Sequence, residues 1–226
     1  MESASTRPVL LSWSGGKDSC LALWEIHRTA ELRVTALLTT VTRDYGRISM
    51  HGVRCELLQR QAEALGLPLH QVQISKGAGN ADYEAEMGKA LAHYRALGVN
   101  KVAFGDLFLE DIRASRQKLL AEHHMSGLYP IWGRNTRWLI HEFIRLGFRA
   151  VVVCVDPAKL DPRFAGRTID ARFVEELPQG VDPCGENGEF HSFVHDGPLF
   201  SAPIRFSLGE TVCRDSFWFC DLVPHP

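Results

Sequence analysis

Residues 8–24 read PVLLSWSGGKDSCLALW, and the stretch divides into three parts. Residues 9–13 form an apolar run with the length of a buried strand. Ser14-Gly15-Gly16-Lys17-Asp18-Ser19 is a glycine-containing turn, and residues 21–26 carry apolar side chains at helical spacing. A strand, a Gly-Gly turn and a helix start gather free backbone N–H groups and the positive end of a helix dipole at one point. The glycines let the backbone approach a ligand, Lys17 adds a full charge, and Ser14 and Ser19 add hydroxyls. Such a turn suits a phosphate or pyrophosphate. It is not the Walker A loop, G-x-x-x-x-G-K-[ST], because only the Gly pair precedes Lys17, and Asp18 follows it.

Outward from this stretch, strand-like and helical patterns alternate. Residues 33–41 (RVTALLTTV) and 69–74 read as buried strands, and 101–106 (KVAFGD) as a strand ending in Gly105-Asp106. Helical patterns run from Glu56 to a stop at Gly66-Leu67-Pro68, over 83–97 and over 110–124, with a short strand in 127–132. Alternation of this kind predicts an α/β fold, a doubly wound parallel sheet with right-handed crossovers. Ligands then sit at the carboxyl ends of the strands, where the turn at Gly15, the loop after Val41 and the Gly105-Asp106 corner would meet. Beyond Trp132 the pattern is less regular. A helix over 136–146, a strand over 150–155, a loop, a helix over 168–177 and strands near 190–194, 203–208 and 217–222 suggest a smaller C-terminal α+β domain. Leu208-Gly209-Glu210 reads as one of its turns. The pattern places the domain boundary near Trp132, dividing the chain into 1–132 and 133–226.

Composition narrows the function classes. The chain has 226 residues, 45% hydrophobic and 23% charged, as expected of a globular protein able to bury a sizeable core. A formal net charge of −2 supplies no basic field, so a nucleic-acid partner is not expected. The six cysteines are scattered without a C-x-x-C pair and read as reduced thiols. The N-terminus MESASTRP has no apolar signal core, and no run approaches the roughly 18 apolar residues of a membrane span, so a cytoplasmic location with no membrane contact is expected. His123-His124 lacks the spacing of a metal-binding pair, and Trp132, Trp138 and Trp218 read as packing residues.

Residues 182–200, DPCGENGEFHSFVHDGPLF, are the second informative stretch. Glu186 and Glu189 flank glycines, with His191 two residues on, a backbone bent to aim side chains. Such a cluster can hold Mg²⁺, position an amine or take a proton; a solvated turn before a strand is the other reading. Asp106, at a strand end, is placed for a ribose hydroxyl, Mg²⁺ or a substrate amine. Glu110 and Asp111 are acids at a helix start, where the dipole also favours them. Arg113 and Arg116 share a helix face and suit a carboxylate or a phosphate, or simply the surface.

Taken together, these motifs resemble a known family. SGGKDS after the first strand is similar to the PP-loop of the ATP pyrophosphatases, which cleave ATP between the α and β phosphates. GENGEFHSFV-DGP, ISMHGVRCELLQRQAEALGLPL and FGDLFLEDIRASRQ resemble blocks of one PP-loop subfamily, the diphthine–ammonia ligase-like ATP-binding proteins. One departure stands out: Phe190-His191 occupies a place where that subfamily usually carries Tyr-Glu. The resemblance implies ATP and Mg²⁺ as cofactors, and nucleotide contacts from Ser14, Gly15, Gly16, Lys17, Asp18, Ser19, Thr39, Ser49, His51, Gly105 and Asp106. Lys17, Asp18, Glu186, Glu189 and His191 would be catalytic, and Asp18 and Asp106 would help hold the metal. Glu110, Arg113 and Arg116 would face the acceptor.

The implied reaction is an AMP-forming carbon–nitrogen ligation. A carboxylate of a small molecule or a modified protein is adenylated, and ammonia, from ammonium or a donating partner, then attacks it. A second copy of the chain is the remaining candidate partner. Two other readings stay open: a PP-loop tRNA-modifying enzyme, and an adenine-nucleotide sensor without chemistry.

Overall fold

The structure is a computed structural model, and it describes residues 6–44, 46–48 and 52–225. Its first sheet is built on β1 (Arg7–Ser12), whose central residues are fully buried, as a strand covered on both faces requires. β1 pairs in parallel with β2 (Leu32–Thr42), and the other edge of β2 pairs in parallel with β4 (Leu69–Ile74). On its other side β1 pairs with β5 (Lys101–Ala103), and β5 with β6 (Ser126–Leu128). The parallel strands therefore run β4-β2-β1-β5-β6, a doubly wound order that reverses direction at β1. A two-residue antiparallel strand, β3 (Arg47–Ile48), continues along the distal half of β2.

The helices between these strands are α1 (Lys17–His27), α2 (Cys55–Leu65), α3 (Asn80–Ala96) and α4 (Glu110–Glu122). Gly66 ends α2 in the left-handed conformation (φ 66°) that favours glycine at this cap. Then come α5 (Thr136–Arg145) and β7 (Arg149–Val155), then α6 (Ala171–Glu176), β8 (Phe190–Asp196), β9 (Phe206–Arg214) and β10 (Phe217–Pro224). The four later strands make an antiparallel sheet in the order β8-β7-β10-β9. One apolar cluster joins both sheets: Leu11, Trp13 and Leu21 pack in the same core as Phe143, Val152 and Phe193. A smaller cluster under α3 and α4 holds Leu10, Val102, Leu91 and Leu120.

The α/β class and the antiparallel C-terminal sheet are as expected from the sequence, but several boundaries differ. β5 stops at Ala103 instead of continuing to Asp106. The chain turns away there because Gly105 lies against the backbone of α1: a Cβ on it would meet the Asp18 carbonyl carbon at 2.6 Å. The expected 127–132 strand is only Ser126–Leu128, since Pro130 has no N–H to give and Trp132 N closes a turn on Tyr129 O. α6 begins at Ala171, not Thr168, because Asp170 caps it by accepting from Phe173 N; Ile169 N bonds Ala150 O instead. The expected turn at Leu208-Gly209-Glu210 is interior to β9, and the hairpin turns at Asp215 and Ser216, both with positive φ. Trp138 is 52% exposed, so it is not the packing residue expected.

Candidate active site

The 14–19 loop and the first turn of α1 form one wall of a cavity of about 220 Å³ at the carboxyl ends of β1 and β5. Ser14, Gly16, Lys17, Asp18 and Ser19 line it from this side, and Gly105, Asp106 and Arg116 from the β5 side. The opposite wall comes from the 184–192 segment, including Cys184, Glu186, His191 and Ser192. Residues 175 positions apart thus touch: Lys17 N donates to Ser192 Oγ at 3.2 Å.

Inside the loop, the hydroxyls are shared. Gly16 N donates to Ser14 Oγ (3.2 Å), Ser19 Oγ donates to Gly16 O (2.9 Å), and the two serine hydroxyls lie 3.2 Å apart. Two N–H groups expected to be open, those of Gly16 and Lys17, are therefore held by hydroxyls that a phosphate oxygen would replace as acceptor. Gly15 does not line the cavity. It carries φ +75°, and its carbonyl accepts from Val194 N at 2.9 Å and from Gln61 Nε2 at 3.0 Å.

Lys17 is buried and donates to Asp18 Oδ2 at 2.8 Å, with its ammonium 5.4 Å from the centre of the Phe190 ring. Burial works against the Lys17 charge, but Asp18 beside it, together with other acidic groups around the cavity such as Glu186, holds the ammonium above its usual range. Burial pushes the Asp18 carboxyl up, with Lys17 pulling it back. Asp106 is likewise pushed up by burial, against the pull of Arg116. Arg116 Nε lies 3.0 Å from Asp106 Oδ2, close enough for an ion pair but off hydrogen-bond geometry. Asp18 Oδ1 and Asp106 Oδ2 are buried without a hydrogen bond.

On the opposite wall, Glu186 Oε1 accepts from Leu107 N at 2.8 Å, which anchors it to the loop after β5. Burial raises its carboxyl to about 7 despite that bond. His191 moves the other way, to about 4, through burial and the nearby Lys17, so it is a neutral imidazole at physiological pH. Burial pushes the Cys184 thiol far up, and its Sγ donates to Thr136 O; it is no thiolate nucleophile.

Other expected residues stand apart. Glu189 is buried and turned into its own loop, accepting from Asp182 N (3.0 Å) and Asn187 Nδ2 (3.1 Å), and does not line the cavity. Arg113 stacks over Tyr129 and Trp132, 4.9 and 4.5 Å from the ring centres. Glu110 is exposed in the first turn of α4. Ser49 and His51 lie outside the described residues. Thr39 is buried, with its hydroxyl unpaired, and lines a neighbouring cavity of about 330 Å³. That cavity is mostly apolar, with Tyr83, Met87 and Phe104 among its walls, and joins the first through Ser12, Ser14 and Arg116.

The sequence reading missed Gln61, Ser192 and Cys184 at this site. Gln61 looked like one polar position in a helical pattern, although its full burial gives it a purpose. Ser192 sat in a strand, where nothing marks a hydroxyl as facing a remote loop.

With this geometry in view, comparison with known proteins decides the family. The sequence pattern of the diphthamide synthase N-terminal domain matches residues 7–126, and that of the diphthamide synthase C-terminal domain matches residues 135–222. The chain belongs to the diphthamide synthase family. The expected resemblance is thereby borne out. Among relatives, the diphthine–ammonia ligase of Danio rerio is 27% identical over 220 residues, covering 88% of this chain and 86% of the relative. The diphthine–ammonia ligase of Mus musculus is 27% identical over 233 residues, and that of Homo sapiens 26% over 231, each covering 93% of this chain and 86% of the relative. Among the described residues no helix is long and apolar enough to cross a membrane, and all six cysteines are unpaired thiols.

Proposed function

We propose that this chain is an ATP-dependent, AMP-forming ligase that adenylates a carboxylate and passes the acyl group to ammonia. The observation that carries this reading is one cavity walled by the 14–19 loop on one side and by Glu186 and His191 on the other. A phosphate-gripping turn and a proton-accepting carboxylate then face the same volume. The relatives' name, diphthine–ammonia ligase, supports the same class of chemistry.

In this reading the triphosphate lies along the 14–19 loop, and the base fills the adjoining apolar cavity beside Thr39. The acceptor carboxylate oxygen attacks the α phosphorus, the bond to the α,β-bridging oxygen breaks, and pyrophosphate leaves. Lys17 and the start of α1 meet the charge that grows on the leaving group, each fixed donor being worth about 3 kcal/mol of barrier. Ammonia then attacks the acyl carbon and AMP departs, leaving an amide. Glu186, raised to about 7, is partly ionised at neutral pH and takes the proton from the incoming nitrogen. His191, held neutral, lines the same wall on the amine side. Arg116 stands at the junction of the two cavities, positioned for the acceptor carboxylate.

Asp18 Oδ1, buried and without a hydrogen bond, and Asp106, whose Oδ2 is ion-paired with Arg116, would hold Mg²⁺, which takes one or two carboxylates plus phosphate oxygens. When bound, the ion would neutralise phosphate charge. Residues 1–132 hold the nucleotide, and 133–226 supply the amine side.

The test is to incubate the protein with Mg-ATP, ammonium and a panel of carboxylates, and to assay the products. AMP and pyrophosphate appearing only with a carboxylate is the expected result. Release of ADP and phosphate, or no turnover across the panel, would refute the reading.

A further inference from the structure

We infer that Gln61 is a positioning residue that sets the peptide plane of the phosphate-gripping loop and ties it to the C-terminal sheet. The inference rests on the reading that this loop binds the phosphates of ATP.

Gln61 lies on α2, has no exposed surface, and uses both ends of its amide. Trp13 Nε1 donates to Oε1 at 3.0 Å, and an indole N–H can only donate, so the orientation of the amide is determined. Nε2 therefore points the other way and donates to two carbonyls, Gly15 O at 3.0 Å and Val194 O at 2.6 Å. One side chain thus bridges the 14–19 loop and β8, beside the direct bond from Val194 N to Gly15 O.

The consequence lies in the next peptide. In a trans peptide the C=O and the following N–H point in opposite directions. With the Gly15 carbonyl held on Gln61 and Val194, the Gly16 N–H is directed away from them, and Gly16 lines the phosphate cavity. A flipped peptide would aim that N–H at the Gln61 amide, donor against donor. The fit is also tight: a Cβ on Gly15 would meet Gln61 Oε1 at 2.7 Å and Leu58 at 2.9 Å. Glycine is required there both for its φ and for the closeness of Gln61.

The experiment uses the full chain carrying Gln61→Leu, which keeps the volume and removes every hydrogen bond, and Gln61→Glu, which turns an acceptor towards the two carbonyls. Amide hydrogen exchange over the 14–19 and 190–196 segments is read in the free protein, and ATP binding is read by calorimetry. Gln61→Leu is expected to exchange faster in both segments and to bind ATP about tenfold more weakly, with circular dichroism unchanged. Gln61→Glu is expected to bind weakly at pH near 8 and to recover towards acidic pH, after correction for wild type, as a protonated carboxyl regains a donor. Wild-type exchange and affinity in Gln61→Leu would overturn the inference. Should that variant fail to fold, wild-type affinity of Gln61→Glu at alkaline pH would overturn it instead. A wild type that binds ATP yet never forms AMP would sink the proposed reaction while leaving this inference to be decided on binding alone.

Discussion

The backbone N–H of Lys17 donates to the hydroxyl of Ser192 at 3.2 Å, so the first turn of α1 is pinned by a strand near the end of the chain. Ser192 is buried, and its removal strands a backbone donor. We expect Ser192→Ala to destabilise the free protein by about 1–3 kcal/mol. Saturating ATP should restore part of that loss, because a phosphate oxygen can accept from the same N–H. Thermal melts with and without nucleotide check this; an equal loss in both would contradict it.

Gly105 touches the backbone of Asp18 and Ser19, where an added Cβ would come within 2.6–2.7 Å of main-chain atoms. No flexible side chain can yield there, so Gly105→Ala must shift the loop or the β5 corner. Overpacking of this kind costs about 1–3 kcal/mol, and ATP affinity is expected to fall by about tenfold or more. Equilibrium dialysis reads it, and unchanged affinity would show the corner to be slack.

Glu186 carries a carboxyl raised to about 7, so its ionised fraction climbs through neutral pH. If it is the base, turnover with ammonium should rise with pH along a limb centred near 7, and Glu186→Gln should erase the limb and lower kcat by about 100-fold or more. The same shift has a stability consequence. The folded state holds the proton more tightly than the unfolded chain, so this group's contribution is present below the unfolded value near 4.5 and declines as pH rises through about 7. Glu186→Gln should therefore flatten the fall in melting temperature over that window, as calorimetric scans across it will show.

Asp221 on β10 ties Arg47 and Arg54 to the C-terminal sheet, through Arg47 Nη1 at 2.9 Å and Arg54 Nη2 at 2.5 Å. Burial works to raise its carboxyl, but the hydrogen bonds from Arg54 and Arg47 overcome this and hold it down at about 2. A depressed carboxyl contributes stability above its unfolded value, near 3.8, and loses it as pH falls through about 2. Asp221→Asn should be less stable than wild type at neutral pH, by about 1 kcal/mol given the partial exposure. The difference should vanish in acid, and urea titrations at two pH values decide it.

Much of this architecture could be read from local pattern. β1, the Gly-Gly turn and α1 follow one another in a single continuous stretch, and β4 and the Gly66 cap carry their own short-range signals. Glu186 was legible as a candidate because Gly185 and Gly188 bracket it in sequence, and His191 because it follows two residues after Glu189. What escaped was long-range. Gln61, Ser192 and Val194 act on the 14–19 loop only because α2 and β8 pack beside it, and no spacing within α2 or β8 encodes that. β5 was overestimated because an apolar run says nothing of the α1 backbone that turns Gly105 aside. β9 was split at Gly209 because glycine reads as a turn, whereas its outer neighbours continue the strand to a hairpin at Asp215-Ser216. Glu189, adjacent to the glycines like Glu186, was indistinguishable from it in sequence, yet its side chain faces Asp182 and Asn187.

The most direct measurement is a crystal structure of the protein with Mg²⁺ and an ATP analogue whose α,β bridge cannot be cleaved. The account predicts the β and γ phosphates against the Gly16–Ser19 amides and the Lys17 ammonium, with the α phosphorus open towards Glu186. A nucleotide bound with its phosphates away from Lys17 would contradict it.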